Sequence, residues 1–350
     1  MINATLMIEY NNFDISVVIP ALNAEEWLPA LLKSIEAQTL LPKEIVIVDS
    51  SPTNRTAQLI INWNGAVPIQ YQRVGFAYPG HARNIGVKAA QCKWIAFIDC
   101  RTLPEIDWLE KCADSASQNN AEIVIASRIS EADTNFKRVL RAATCGCAVQ
   151  KSLAGSLVQK DVFEQLGGFI SDVRSGEDIE WMQRIYYLRV RIAYIEVPVV
   201  KYHGLPEKLI AAVVKWHEYA VSKINHEIRN DQKQLYFLIF IFASFAFIHN
   251  WNSIFARWDM SSIYYIPNIT KIFVAALSLG YVFYRGIIRP LQVMVRLSYL
   301  LPLRWLEISF VGLCLDLAKS PGLIWGALLL MRRRVAGLQH YLRTHRKTEL

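Results

Sequence analysis

The sequence predicts an α/β protein with a mostly parallel, doubly wound sheet, followed by an all-α hydrophobic region. Two observations carry this. From Ile15 to His203, short β-branched runs alternate with segments of helical apolar spacing. From Pro206 onward the chain turns into long apolar stretches broken by few charges.

"ISVVIP" (Ile15–Pro20) is a buried-strand pattern closed by a proline, and "EEWLPALLKSIEAQ" follows with Trp27, Leu28, Leu31, Leu32 and Ile35 at helical spacing. "EIVIVDSS" (Glu44–Ser51) is a second apolar strand ending in Asp49, "NRTAQLIINW" a helix, and "IQYQRV" another short strand. "GHARNIGVKAAQC" reads as a loop feeding a helix, and "KWIAFID" as a strand ending in Asp99. "AEIVIASRI" gives a further strand, followed by a looser basic stretch and a helix ending at Gly167-Gly168. "SGEDIEWMQRIYYL" has acids in its first turn, where the helix macrodipole favours them. "VRIAYIEVPVVKYH" is a last strand or hairpin ending at His203. Ligands of such sheets sit at the strand carboxyl ends, where Asp49 and Asp99 fall. No GxGxxG follows the first strand, which disfavours a dinucleotide-dependent dehydrogenase.

The chain has 350 residues, 53% hydrophobic and 19% charged, with a formal net charge of +8. Its mean hydropathy of +0.20 is high for a soluble globular protein and points to membrane contact. The excess charge lies wholly between Arg285 and Leu350, which hold 11 Lys and Arg against 3 acids. The first 284 residues are therefore neutral and lack the electrostatic footprint of a nucleic-acid-binding face. A basic, apolar C-terminal region suits an anionic cytoplasmic membrane surface. Six cysteines show no paired CxxC spacing and read as reduced thiols. The N-terminus lacks the basic start and apolar core of a signal peptide, so the N-terminal part is expected in the cytosol.

The organisation expected is a catalytic α/β domain over 1–205, an amphipathic connecting helix over 206–232, and membrane-associated helices with a basic cytoplasmic tail over 233–350. "LYFLIFIFASFAFI" (Leu235–Ile248) and "IFVAALSLGYVFY" (Ile272–Tyr284) are charge-free and give two tilted spans when extended at one end. "RWLEISFVGLCLDLAK" and "GLIWGALLLMRRR" read as interfacial or re-entrant helices, interrupted by Glu307, Asp316 and Pro321.

Five motifs, "SVVIPALNAEEWLPALLKSIEAQ", "EIVIVDSSPTNRT", "GHARNIGVKAA", "WIAFIDCRTLPEIDWLEK" and "LGGFISDVRSGEDIEWMQRI", stand in an order that resembles the family 2 inverting glycosyltransferases of the Rossmann-like GT-A fold. The hydrophobic C-terminal region resembles, more loosely, the tails of membrane-associated members that build bacterial surface polysaccharides. The resemblance implies transfer of a sugar from a nucleotide-sugar donor, a UDP-sugar favoured, to a membrane-held, polyprenyl-diphosphate-linked saccharide. It places the protein at the cytoplasmic face of the cell membrane. It puts Pro20, Ala21, Asn23 and Glu25 around the nucleoside, and Asp49 as acceptor of a hydrogen bond from the base. Arg83 and Asn84 approach the donor, Asp99 edges its diphosphate site, and Arg184 lies near the diphosphate or acceptor. Asp178 becomes the general base, with Glu177 orienting it or contacting the acceptor, and His203 a metal or phosphate ligand.

One triplet departs from the family pattern. Where Asp-x-Asp would let carboxylates hold Mg²⁺ or Mn²⁺ against the diphosphate, this chain has Asp99-Cys100-Arg101. Three arrangements stay open: a metal held by Asp99 and His203, direct pairing of phosphate with Arg101, or a non-catalytic nucleotide-sugar-binding or scaffold subunit of a polysaccharide assembly complex. Retention of Asp49, Asp99, Glu177, Asp178 and Arg184 together favours an active enzyme.

Overall fold

The computed structural model describes residues 13–188, 190–225 and 251–320. The chain divides into two compact units, one of Met1–Asp133 with Cys147–Leu205, the other of Thr134–Gly146 with Pro206–Leu350.

The first unit is built on one eight-stranded sheet in the order β3-β2-β1-β4-β7-β6-β8-β5. Its strands are β1 (Ile15–Ala21), β2 (Glu44–Asp49), β3 (Ile69–Arg73), β4 (Trp94–Phe97), β5 (Thr102–Pro104), β6 (Ile123–Ser130), β7 (Gln150–Gln159) and β8 (Ile192–Tyr202). β1 pairs in parallel with β2 and β4, β2 with β3, and β6 with β8. β7 runs antiparallel to both β4 and β6, and β5 antiparallel to β8. The sheet is thus mixed, with parallel pairings in the majority.

The continuous apolar runs of β1, β2 and β4 follow from burial on both faces, as expected of parallel strands covered by helices. On one face lies α1 (Leu28–Glu36), which buries Leu28, Leu31, Leu32 and Ile35 as its spacing predicts. α4 (Trp108–Gln118) packs its Trp108, Leu109 and Cys112 into the same core. On the other face α3 (Pro79–Ala89) crosses β1 and β2, with Pro79 in the first turn, where its missing N–H costs nothing. The approach is close: a Cβ on Gly86 would stand 2.5 Å from Val18 Cγ1. α6 (Lys160–Gln165) and α7 (Glu177–Tyr187) complete that face through Phe163, Trp181 and Ile185, while the short α2 (Arg55–Ile61) links β2 to β3.

The "looser basic stretch" contains two elements that the sequence pattern did not show. α5 (Asn135–Ala143) is capped by Thr134, whose side chain accepts from Lys137 N at 3.2 Å, and it belongs to the second unit. β7 lies inside the sheet although "QKSLAGSLVQ" is poor in β-branched residues, and Gly155 within it takes φ +96°.

In the second unit, α8 (Leu209–Asn225) is followed, after the undescribed residues, by α9 (Asn268–Phe283). α9 runs through a π-turn at Tyr284–Ile288 into Arg289–Gln292, and α10 spans 304–320. The segment Lys271–Gln292, 22 residues, is long and apolar enough to cross a membrane, with a mean hydropathy of 1.5 over an 18-residue window. It includes the expected Ile272–Tyr284 stretch, whereas Leu235–Ile248 and "GLIWGALLLMRRR" lie outside the described residues. Asp316, which interrupts the apolar pattern of α10, is buried and paired: Arg285 Nε lies 2.9 Å and the Tyr281 hydroxyl 2.7 Å from its Oδ2.

Candidate active site

The strand order reverses between β1 and β4: the chain steps outward from β1 to β2 and β3, then returns to place β4 on the other side. Side chains at the carboxyl ends of these two strands therefore border the crevice where such sheets bind ligands. Pro20 and Ala21 end β1, Asp99 and Arg101 follow β4, and Cys100 Sγ bonds to the Pro20 carbonyl at 3.2 Å, tying the two ends together. Burial pushes the Cys100 thiol up to about 12, so it is neither a nucleophile nor a thiolate ligand at neutral pH.

Arg83 is the centre of the site. Its Nη2 donates to Asp99 Oδ1 at 2.6 Å and its Nη1 to Glu177 Oε1 at 2.7 Å, joining α3, the end of β4 and the start of α7. The guanidinium lies 5.8 Å from the Phe169 ring centroid. Burial works against the cation, and Asp99 and Glu177 outweigh it, so its pKa is raised. Burial also pushes the Glu177 carboxyl above the ordinary glutamate range, with Asp178 adding to the effect and Arg83 offsetting only part of it.

Glu177 is 5% exposed and locked to Arg83, while Asp178 beside it is half-buried. One Asp178 oxygen accepts from Ile179 N at 2.8 Å. Gly176, at φ +93°, lets the chain turn into α7 with both acids in its first turn. Gly80 makes room for this corner, because a Cβ there would stand 2.4 Å from the Ile170 carbonyl and 3.1 Å from Glu177 Cγ.

Two residues expected near the donor or acceptor have their side chains engaged by protein. Asn84 clamps the backbone of Phe169, donating to its carbonyl at 2.8 Å and accepting from its N–H at 2.9 Å. Arg184 is held by Glu180, 2.6 Å from its Nε, and by the carbonyls of Leu166 and Gly168. Both fasten the loop that leads to Glu177 and Asp178.

At the end of β2, Asp49 is fully buried, and both its oxygens accept bonds from within the chain. Ser51 N lies 2.9 Å from Oδ1, and the Tyr71 hydroxyl 2.7 Å from Oδ2. Burial and the Asp49 hydrogen bond raise the Tyr71 phenol, which therefore stays a donor. A base edge reaching Asp49 has to share or displace these contacts. Ser51 Oγ also accepts from Asn23 N at 2.7 Å, fixing the loop after β1, where Asn23 takes φ +48°. Glu25 pairs with Arg55 at 3.5 Å. Neither Tyr71 nor Ser51 was singled out from the sequence. Tyr71 becomes visible only once the register Ile47↔Tyr71 sets it diagonal to Asp49.

His203 follows β8, and its N–H bonds to the Arg101 carbonyl at 2.8 Å, which brings the imidazole beside the end of β4. The ring lies 6.1 Å from Trp27 between centroids, and its Nε2 is shielded from solvent without a hydrogen-bond partner. Arg101 is exposed, and no described residue pairs with its side chain.

The strand end offers a divalent cation less free negative charge than two unpaired carboxylates would. Asp99 shares its carboxylate with Arg83, a second cation stands two residues on, and among the described residues no group of three His, Cys, Asp or Glu side chains converges to hold an ion.

Residues 16–171 match the family model for glycosyl transferase family 2. An uncharacterised glycosyltransferase of Rickettsia conorii is 34% identical over 110 residues, covering 31% of this chain and 18% of that protein. Glycosyltransferase AglE of Haloferax volcanii is 25% identical over 190 residues, covering 49% and 60%. The matched part thus spans less than two thirds of the length of these relatives. The crystal structure of S. aureus TarS 1–349 in complex with UDP-GlcNAc aligns over 88% of this chain and 91% of that one, at 15% identity and a TM-score of 0.46. Over residues 16–171 this chain is therefore similar to glycosyl transferase family 2.

Proposed function

We propose that the protein transfers a sugar, with inversion, from a nucleotide-sugar donor to a membrane-held saccharide, most simply one linked to polyprenyl diphosphate, in surface polysaccharide synthesis at the cytoplasmic face of the cell membrane. The observation that carries this reading is the pairing of a half-buried Asp178 with the Arg83–Asp99–Glu177 network at the switch point of the sheet. The family match supports the reaction class, and the apolar helix and basic C-terminal charge support a membrane acceptor.

The acceptor hydroxyl attacks the anomeric carbon from the face opposite the nucleotide. Asp178 takes the hydroxyl proton as the new C–O bond forms, and the old C–O electron pair leaves with the nucleoside diphosphate. Glu177 is a positioning residue: its bond to Arg83 holds the first turn of α7 against Asp99. Asp49, Tyr71 and Ser51 form the rigid floor of the nucleoside side.

The test is a panel of UDP-, GDP- and dTDP-sugars given to the purified full chain in detergent with lipid extract as acceptor. The expected result is turnover of one donor into lipid-linked product, with the anomeric configuration inverted by NMR. No turnover with any donor would contradict the reading, and turnover of any donor would eliminate a pure scaffold role.

A further inference from the structure

The end of β4 carries an arrangement that the transfer chemistry above leaves unused. Arg101 is exposed, at the strand-order switch point, with no described partner for its guanidinium. The Arg101 carbonyl is bonded to the His203 N–H at 2.8 Å, so the two side chains rise from adjacent backbone, and His203 Nε2 lacks a hydrogen-bond partner. Arg83 stands at the same strand end, but its guanidinium is committed to Asp99 and Glu177, which leaves Arg101 as the uncommitted cation there. Asp99, the acid closest to Arg101 in the chain, is paired with Arg83, not with Arg101. An uncommitted guanidinium recognises an anion and repels a cation. Arginine's planar fork matches phosphate oxygens in two-point fashion.

We propose that Arg101, with His203 beside it, binds the donor's diphosphate directly and takes the place of a divalent cation, so that donor binding is metal-independent. This rests on the nucleotide-sugar reading given above. The cation that would balance the diphosphate is then part of the chain. The leaving diphosphate is stabilised by a guanidinium of the chain itself, and no ion has to be acquired with each donor.

The experiment is calorimetric titration of the full chain in detergent with UDP and with GDP, in EDTA and in Mn²⁺. It is run on the wild type, Arg101→Ala, Arg101→Asp and His203→Ala, with uridine as a phosphate-free control. The wild type should bind one diphosphate equally, within about threefold, in both media. Arg101→Ala should weaken it roughly 10- to 100-fold in EDTA, the range of a charge-assisted hydrogen bond, while leaving uridine unchanged. Arg101→Asp should bind only when Mn²⁺ is present, since it restores a second carboxylate. Arg101 is exposed, so these variants should keep the wild-type melting temperature. Wild-type binding that needs Mn²⁺, or Arg101→Ala binding as tightly as wild type in EDTA, would overturn the proposal. If neither diphosphate binds in either medium, the nucleotide-sugar reading falls and this inference with it.

Discussion

Arg83 holds two carboxylates from different elements, the buried Glu177 and the partly exposed Asp99. The Arg83 side chain is 6% exposed, as is that of Glu177, and removing one partner of such a buried pair leaves a charge that neither water nor protein compensates. The Glu177 carboxyl nevertheless titrates above its ordinary range because burial dominates. A group whose pKa is raised on folding stabilises the fold fully below its unfolded value, about 4.3 for glutamate, and loses that contribution as pH climbs through the folded value. Glu177→Gln keeps an oxygen for Arg83 and removes the titration. Urea midpoints measured from about pH 4.3 upward should therefore fall less with pH in Glu177→Gln than in the wild type. An unchanged pH slope would show that burial does not set the Glu177 titration. Asp99, Glu177 and Asp178 were legible as candidates because acids at strand ends and in a first helical turn stand out. Their common partner was not, since the 94 residues between Arg83 and Glu177 leave no local trace.

At the scale of elements, the corner between α3 and α7 positions the first helical turn that carries Asp178. Asn84 clamps Phe169, Arg184 grips the Leu166 and Gly168 carbonyls, and Gly80 lets Ile170 come close. Gly80→Ala forces a Cβ to 2.4 Å from a backbone oxygen that cannot rotate away, so the corner must shift. Overpacking of this kind costs about 1–3 kcal/mol. The expected outcome is a lower melting temperature together with a fall in kcat larger than the change in donor affinity, because the base moves while the floor around Asp49 stays. A variant with wild-type melting and kcat would show that the corner yields freely. The parallel strands β1, β2 and β4 and helices α1, α3 and α7 were readable from periodicity, since their burial is two-sided or amphipathic. β5 is only three residues long, and β7 has a small-residue sequence whose strand state comes from pairing with β4 and β6. Tertiary context there overrides weak local preference.

At the scale of the whole chain, two kinds of solvent are written into one sequence. The first 284 residues are formally neutral and the first unit buries its core between helices and sheet, whereas Arg285–Leu350 carries the net charge and the C-terminal region exposes apolar side chains such as Ile272, Phe273, Leu279 and Phe310. The acid in α10 read from sequence as an interruption of an apolar helix. It is instead the partner of Arg285 in the preceding π-turn, a pairing that hydropathy alone cannot reveal. A donor site on one unit and an apolar, basic second unit together make a transferase acting on a lipid-held acceptor the economical account. Its central claim is that Asp178 takes the acceptor's proton. The most direct measurement compares Asp178→Asn with the wild type for sugar transfer and for nucleotide-diphosphate binding in the same preparation. Transfer should fall by roughly 10²- to 10⁴-fold, the range of a general base, with binding unchanged. Transfer at the wild-type rate in Asp178→Asn would contradict the account.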